Sequence, residues 1–375
     1  MKEISLYIHI PFCKQKCLYC DFPSYSGKEI LMSEYVDALN KEILLKAQDY
    51  YISSIFIGGG TPSYLTNDNL KSLLEVINTL HLKEDMEFTI ECNPGTLNKN
   101  NLDIMKKFNV NRISMGLQST KDSILKEIGR IHSYEEFKNN YLLARSVGFN
   151  NINVDLMFGL PNQTIGQWKD SLEDIAKLNP EHISAYSLII EEGTCFYNLY
   201  EKDKLNLPGE ENEREMYSTA KEILSKYDYH QYEISNFAKD GKECFHNKVY
   251  WMCNEYVGIG VSASSFINNS RTKNIDSIEE YIEKINNNEN IIEECYENSI
   301  EDSMEEFMFM GLRMIDGVDT LKFKKRFNKD INEVYGEIIE KNIKKELLVW
   351  NSEKLFLSPK GIELSNYVMS DFILK

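Results

Sequence analysis

The chain has 375 residues, enough for about two or three domains around a large core, and its 42% hydrophobic and 27% charged residues describe an ordinary globular protein. A balance of 59 acidic against 42 basic side chains gives a formal net charge of -17, which argues against a general binder of nucleic acid or acidic lipid and leaves room only for a local basic patch. No apolar run approaches the roughly 20 residues of a membrane helix, and "MKEISLYIHIPF" has no signal-peptide pattern, so a cytoplasmic protein without disulfides is expected, with peripheral membrane contact left open.

Apolar residues alternate at Ile4, Leu6, Ile8 and Ile10, a period-two strand that runs into "FCKQKCLYCDFP". Strand-like runs follow at "SSIFIGGG", "EFTIECN", "RISMGLQ", "NINVDLMFG" and "HISAYSLII". Each is separated from the next by a stretch able to hold helices, among them Ser33 to Gln48, Asn67 to Leu80, Tyr134 to Val147 and Ile165 to Leu178. Repeated βα units with right-handed crossovers predict a parallel sheet with helices outside, and the six clear units before about residue 190 predict a partial (β/α)6 TIM-like barrel. Beyond residue 200 come an acidic loop, a helix to about Lys226, "YEISNFAKDGKECFHNKVYW" and a Gly/Ser-rich strand-like run. The acidic, Asn-rich residues 274–300 read as a connecting helix and linker. Helices near Ser303 to Met314, Leu321 to Phe327 and Ile331 to Asn342, then a hairpin and a last helix, predict a small winged-helix-like α+β domain. The expected division is therefore 1–240, the barrel; 241–300, a motif segment and linker; and 301–375, the C-terminal domain.

Cys13, Cys17 and Cys20 stand in C-x3-C-x2-C spacing on one loop after a strand. Three thiolates can hold three irons of a [4Fe-4S] cluster and leave the fourth to a non-protein ligand. A zinc site remains the alternative, with His9, Asp21 or a distant residue as fourth ligand. The other five cysteines are scattered, and core or loop roles are their default.

The spacing resembles that of the radical S-adenosylmethionine (SAM) superfamily. "YIHIPFCKQKCLYCDF", "GGGTPS", "IECNPG", "RISMGLQS", "GRIH" and "VDLMFGLP", in that order, resemble the oxygen-independent coproporphyrinogen oxidase branch over most of residues 1–240. The resemblance implies that SAM chelates the open iron, that Gly59, Gly60 and Thr61 hold its methionine end, and that Glu91, Gln118, Arg130 and Asp155 bind the rest, with Tyr7 beside the cluster. Taken alone, three glycines make a tight turn and each polar residue a cap. The sixth strand would lend backbone groups to the adenine, from Ala185 or Tyr186.

True oxidases of this branch carry a fourth cysteine two places after the third, where this chain has Phe22, and an N-terminal extension, whereas 12 residues precede Cys13 here. Both departures resemble the branch's haem chaperones, as does "HNKVYW". A lone histidine is more often structural, but the resemblance implies that His246 ligates haem while Tyr250 and Trp251 pack on the porphyrin. The expected function is a haem chaperone carrying a SAM-ligated cluster and passing haem to an acceptor protein, possible respiratory acceptors included. A porphyrin-modifying radical enzyme and a zinc-stabilised TIM-like protein stay open as alternatives.

Overall fold

The computed structural model describes residues 1–351 and 353–374. Six parallel strands form its centre, β1 (Lys2–Ile10), β2 (Tyr50–Gly59), β3 (His81–Cys92), β4 (Arg112–Gln118), β5 (Ile152–Phe158) and β6 (His182–Ser187), in sequential order. This is the six-stranded partial barrel the sequence predicts, and it remains open. Two of the expected helices have their predicted bounds, Tyr134–Val147 and Ile165–Leu178, and the other two, Met32–Ala47 and Asn67–Ile77, differ only at their ends. Local chemistry fixes these boundaries. Ser133 with Glu136, and Thr164 with Gln167, form reciprocal capping boxes, devices worth about 1 kcal/mol each. Leu70, Leu73, Leu74 and Ile77 follow helical spacing and bury one face of Asn67–Ile77 against the sheet.

The sheet extends past both ends of the predicted six. At one end β8 (Asn236–Ala238) pairs antiparallel with β6, and β7 (His230–Glu233) pairs with β8. At the other, β9 (Tyr256–Ile259) lies parallel to β1, followed by antiparallel β10 (Ser264–Ile267), β11 (Ser270–Asn274) and β12 (Ile292–Glu297). Residues 274–300, read as a connecting helix and linker, thus contain the helix Ile278–Asn286 and an edge strand of the main sheet. Every residue of β12 is exposed, so its sequence lacks the alternation that marks a half-buried strand.

Residues from Met304 to Phe372 have a separate core, with Met308, Phe323, Tyr335, Leu355 and Phe372 fully buried. Three helices, Ile300–Gly311, Thr320–Phe327 and Ile331–Lys344, surround a small antiparallel sheet of β13 (Val318–Asp319), β14 (Leu348–Trp350) and β15 (Lys354–Leu357), with β15 central. This is the winged-helix-like unit expected. Backbone bonds from Ile234 N to Arg313 O (3.1 Å) and from Ile315 N to Tyr232 O (3.1 Å) fasten it to the β7–β8 edge.

Candidate functional site

The cysteine loop leaves β1 at the sheet's C-terminal edge and is stitched down by backbone bonds. Cys13 N donates to Tyr25 O (3.0 Å), Thr61 N to Phe12 O (2.8 Å) and Leu18 N to Ile128 O (3.1 Å). His9 holds the loop's exit: its Nε2–H donates to Pro23 O at 2.7 Å, so its Nδ1 accepts from the Tyr7 hydroxyl at 2.9 Å. Burial lowers this imidazole to about 4, and with both nitrogens engaged it has no lone pair for zinc. Gly59 and Gly60 cannot carry side chains here. Gly59 has φ 107 and a Cβ on it would meet the His9 ring at 2.4 Å, while one on Gly60 would lie 2.8 Å from two carbonyl oxygens.

A cavity of about 140 Å³ opens above the strand ends. It is bordered by Cys13, Cys17 and Cys20 and by Gly59, Gly60, Thr61, Glu91, Gln118, Arg130 and Asp155. Ten of the twelve site residues expected from sequence therefore share one wall. Among the described residues, no three His, Cys, Asp or Glu side chains come close enough to hold a single metal ion. A four-iron cluster joins thiolates that stand further apart, and three on one loop match that donor set. Burial raises the Cys13 and Cys20 thiols, which would keep them protonated until a metal displaces the proton.

The polar wall suits a ligand carrying both positive charge and a carboxylate. Glu91 accepts from Gly59 N at 3.0 Å, and burial, with Asp155 nearby, pushes its carboxyl up to about 8. Asp155 accepts from Asn153 Nδ2 at 2.7 Å, and burial raises it too. Two desolvated carboxyls in one cavity are relieved by a cation. Arg130 donates to Asn93 Oδ1 (2.6 Å) and Tyr19 OH (2.8 Å), while its buried Nε has no partner. Gln118 has a left-handed backbone, φ 75, and accepts from the Tyr186 hydroxyl at 3.0 Å.

Several residues escaped the sequence reading. Asn93 links Arg130 to Thr61, donating to Thr61 Oγ1 at 3.0 Å, and Tyr19 and Ser114 also border the cavity. "IECNPG" contains Asn93, but only the fold brings it to the arginine. Of the two candidates on β6, Tyr186 borders the cavity, while Ala185 N is spent on Ser235 O at 2.8 Å.

Two expected residues lie elsewhere. Tyr7 does not border the cavity; it donates to His9 and forms the wall of a separate open crevice. His246, expected as a haem ligand, is 1% exposed and sits in the barrel floor, on the short helix Phe245–Trp251. Its Nδ1 is 2.8 Å from Ser54 Oγ and its Nε2 is 2.9 Å from the Tyr250 hydroxyl, so neither nitrogen is free for iron. Glu87 holds the start of this helix, accepting from Phe245 N and His246 N, each at 2.9 Å, and from Cys244 Sγ at 3.2 Å. Trp251 lies under the Arg313 guanidinium, 4.4 Å from its ring centre, and borders a hollow towards the C-terminal unit.

The Radical SAM superfamily profile matches residues 7–175, and the HemN C-terminal domain profile matches residues 299–364. The chain is 39% identical to the heme chaperone HemW of Bacillus subtilis, covering 98% of this chain and 99% of that protein. It is 37% identical to the heme chaperone HemW of Lactococcus lactis, covering 100% and 98%. Among solved structures, Escherichia coli coproporphyrinogen III oxidase (HemN), a radical SAM enzyme, superposes with a TM-score of 0.87 over 99% of this chain and 90% of that one. At 22% identity this last likeness concerns the fold.

Proposed function

Because the chain belongs to the heme chaperone HemW family of radical SAM proteins, we propose that it takes up haem in the cytoplasm and hands it to an acceptor protein, of which a respiratory haem protein is the kind we favour. Haem is cargo in this reading, while the cluster and SAM are resident groups. The observation that carries it is full-length similarity to haem chaperones, joined to Phe22 at the place where the branch's oxidases have a fourth cysteine. Among the described residues no helix is long and apolar enough to cross a membrane.

We assign the cluster to Cys13, Cys17 and Cys20. SAM would complete the fourth iron and bring its sulfonium charge into the cavity. The Gly59–Thr61 loop would receive its methionine end, Arg130 its carboxylate, and Glu91, Gln118 and Asp155 its polar remainder. What the chain's own residues contribute is placement: the two carboxyls hold positive charge in a desolvated space, and the Arg130–Asn93–Thr61 links fix the donor side.

The test uses the full chain, purified anaerobically and loaded with haem. On mixing with apomyoglobin as acceptor probe, the Soret band should move to that of the haem-filled probe. Coproporphyrinogen should persist under reducing conditions with SAM. Formation of protoporphyrinogen would overturn the carrier reading and restore the oxidase one.

A further inference from the structure

Resting on the assignment of Asp155 to SAM made above, we propose that His182 is a positioning residue for that ligand, locking the Asn153 amide so that its nitrogen faces the Asp155 carboxyl. Asn153 and Asp155 belong to β5, and His182 stands opposite Asn153 on the neighbouring strand β6. Asn153 and His182 are both buried. Asn153 Nδ2 donates to Asp155 Oδ1 at 2.7 Å and to Ser114 Oγ at 2.8 Å. An ionised carboxylate only accepts, so the amide nitrogen belongs on this side and the amide oxygen on the other.

That oxygen meets His182 Nδ1 at 2.6 Å and accepts from Ser184 Oγ at 3.2 Å. His182 Nδ1 therefore carries the ring's hydrogen, and the Nε2 lone pair accepts from the Tyr232 hydroxyl at 2.9 Å. The Tyr232 oxygen in turn accepts from Cys244 N at 3.3 Å, where the floor helix begins. Every hydrogen in this chain points towards the mouth. Burial, with Arg112 nearby, holds the imidazole well below its ordinary range, so it keeps a single proton and its two nitrogens take opposite roles.

The oxygen and nitrogen of an amide are almost equal in size, so hydrogen bonds alone decide which way Asn153 faces. Turned over, it would set its oxygen against the carboxylate that a cationic ligand needs ionised. The Ser114 and Ser184 hydroxyls can rotate to suit either orientation; an imidazole with its hydrogen on Nδ1 cannot. Tyr232 selects that tautomer by filling Nε2. Its own carbonyl accepts from Ile315 N at 3.1 Å, so the lock is anchored where the barrel floor meets the C-terminal unit.

SAM binding to the anaerobically reconstituted full chain, measured by equilibrium dialysis beside iron content, tests this. His182→Phe keeps a ring and removes both nitrogens; affinity should fall about tenfold, the worth of a hydrogen bond to a charged group, with iron content unchanged. His182→Asn restores a donor near the place of Nδ1 and should bind within about threefold of the wild type, a rescue that a purely structural histidine would not show. Histidine-labelled 15N NMR of the ligand-free chain should find His182 protonated on Nδ1 in the wild type and a mixture of tautomers in Tyr232→Phe, which decides the matter even if His182→Phe folds poorly. Wild-type affinity in His182→Phe, no rescue by His182→Asn, or a wild-type ring protonated on Nε2 would each overturn the lock while leaving SAM at Asp155. An Asp155→Ala chain that binds SAM unchanged would overturn the assignment of Asp155 and the lock together.

Discussion

The mouth and the floor of the barrel are built from the same kinds of residue and end in opposite states. Both bury carboxylates, hydroxyls and aromatic rings between the same strands. At the mouth, Arg130 Nε has no partner, two carboxyls are pressed upward by burial, and three thiols line one cavity. At the floor, Glu87 accepts three donors and both His246 nitrogens are engaged. The mouth combines unfilled capacity with a cavity, while the floor spends most of its capacity internally, although Trp251 Nε1 on the same helix is also buried without a partner.

The largest expected effect lies at the mouth. Replacing any one of Cys13, Cys17 or Cys20 by Ala should abolish the roughly four irons and four sulfides of an anaerobically prepared protein, measured by metal and sulfide analysis. Thermal unfolding of the ligand-free chain should barely change. A stoichiometric zinc without broad visible absorption would break the comparison on its mouth side.

At the floor the expected signs reverse. Glu87→Ala leaves two backbone N–H groups and a thiol without their acceptor, which should cost about 3 kcal/mol in urea unfolding. Iron content after reconstitution should stay at the wild-type level. If Glu87→Ala instead removed SAM binding and spared stability, the floor would prove to be a ligand site after all.

The smallest effect sharpens the mouth's electrostatics. Glu91 has a folded value of about 8, above the ordinary 4.5, so ionisation costs the folded state. The ligand-free protein should hold its full stability below about 4.5 and lose this contribution as pH rises through about 8. A cationic ligand favours the ionised form and releases the proton. SAM affinity should therefore rise about fivefold from pH 7 to pH 8 and flatten above that, with Glu91→Gln reducing the slope by equilibrium dialysis.

The sequence revealed the mouth well because its chemistry sits at strand ends in short motifs, where spacing alone places the cysteines, the glycine turn, Glu91 and Asp155 on one edge. Side-chain direction was harder to read. Tyr7 shares the inward face of β1 with His9 and lies no further from its strand's end than Asp155 does from Phe158, yet its hydroxyl is turned onto the His9 ring and away from the cavity. Alternation reports which face a side chain takes and says nothing of where its polar end turns. The burial of His246 was hidden for a related reason. A helix of seven residues is too short to show a burial pattern, and its acceptor, Glu87, lies 159 positions away. The edge strand β12 was missed because both of its faces meet water, which removes the alternation a strand normally carries.

The bonds from Glu87 to the floor helix also set a timetable for synthesis. Phe245 follows Glu87 by 158 residues, and the outer edge of β1 waits longer still for β9, whose Tyr256 pairs with Ser5. At the pace of a ribosome, about 5–20 residues per second, the growing chain would hold an unsealed barrel for roughly 10 to 30 s and an open outer edge of β1 for roughly 10 to 50 s. Through that interval the paired strands β1 to β6 are a template without an end plate, and apolar or strand-forming neighbours have time to meet it. Folding yield should therefore depend on elongation rate and chaperone supply between these two points more than on the thermodynamic stability of the finished protein.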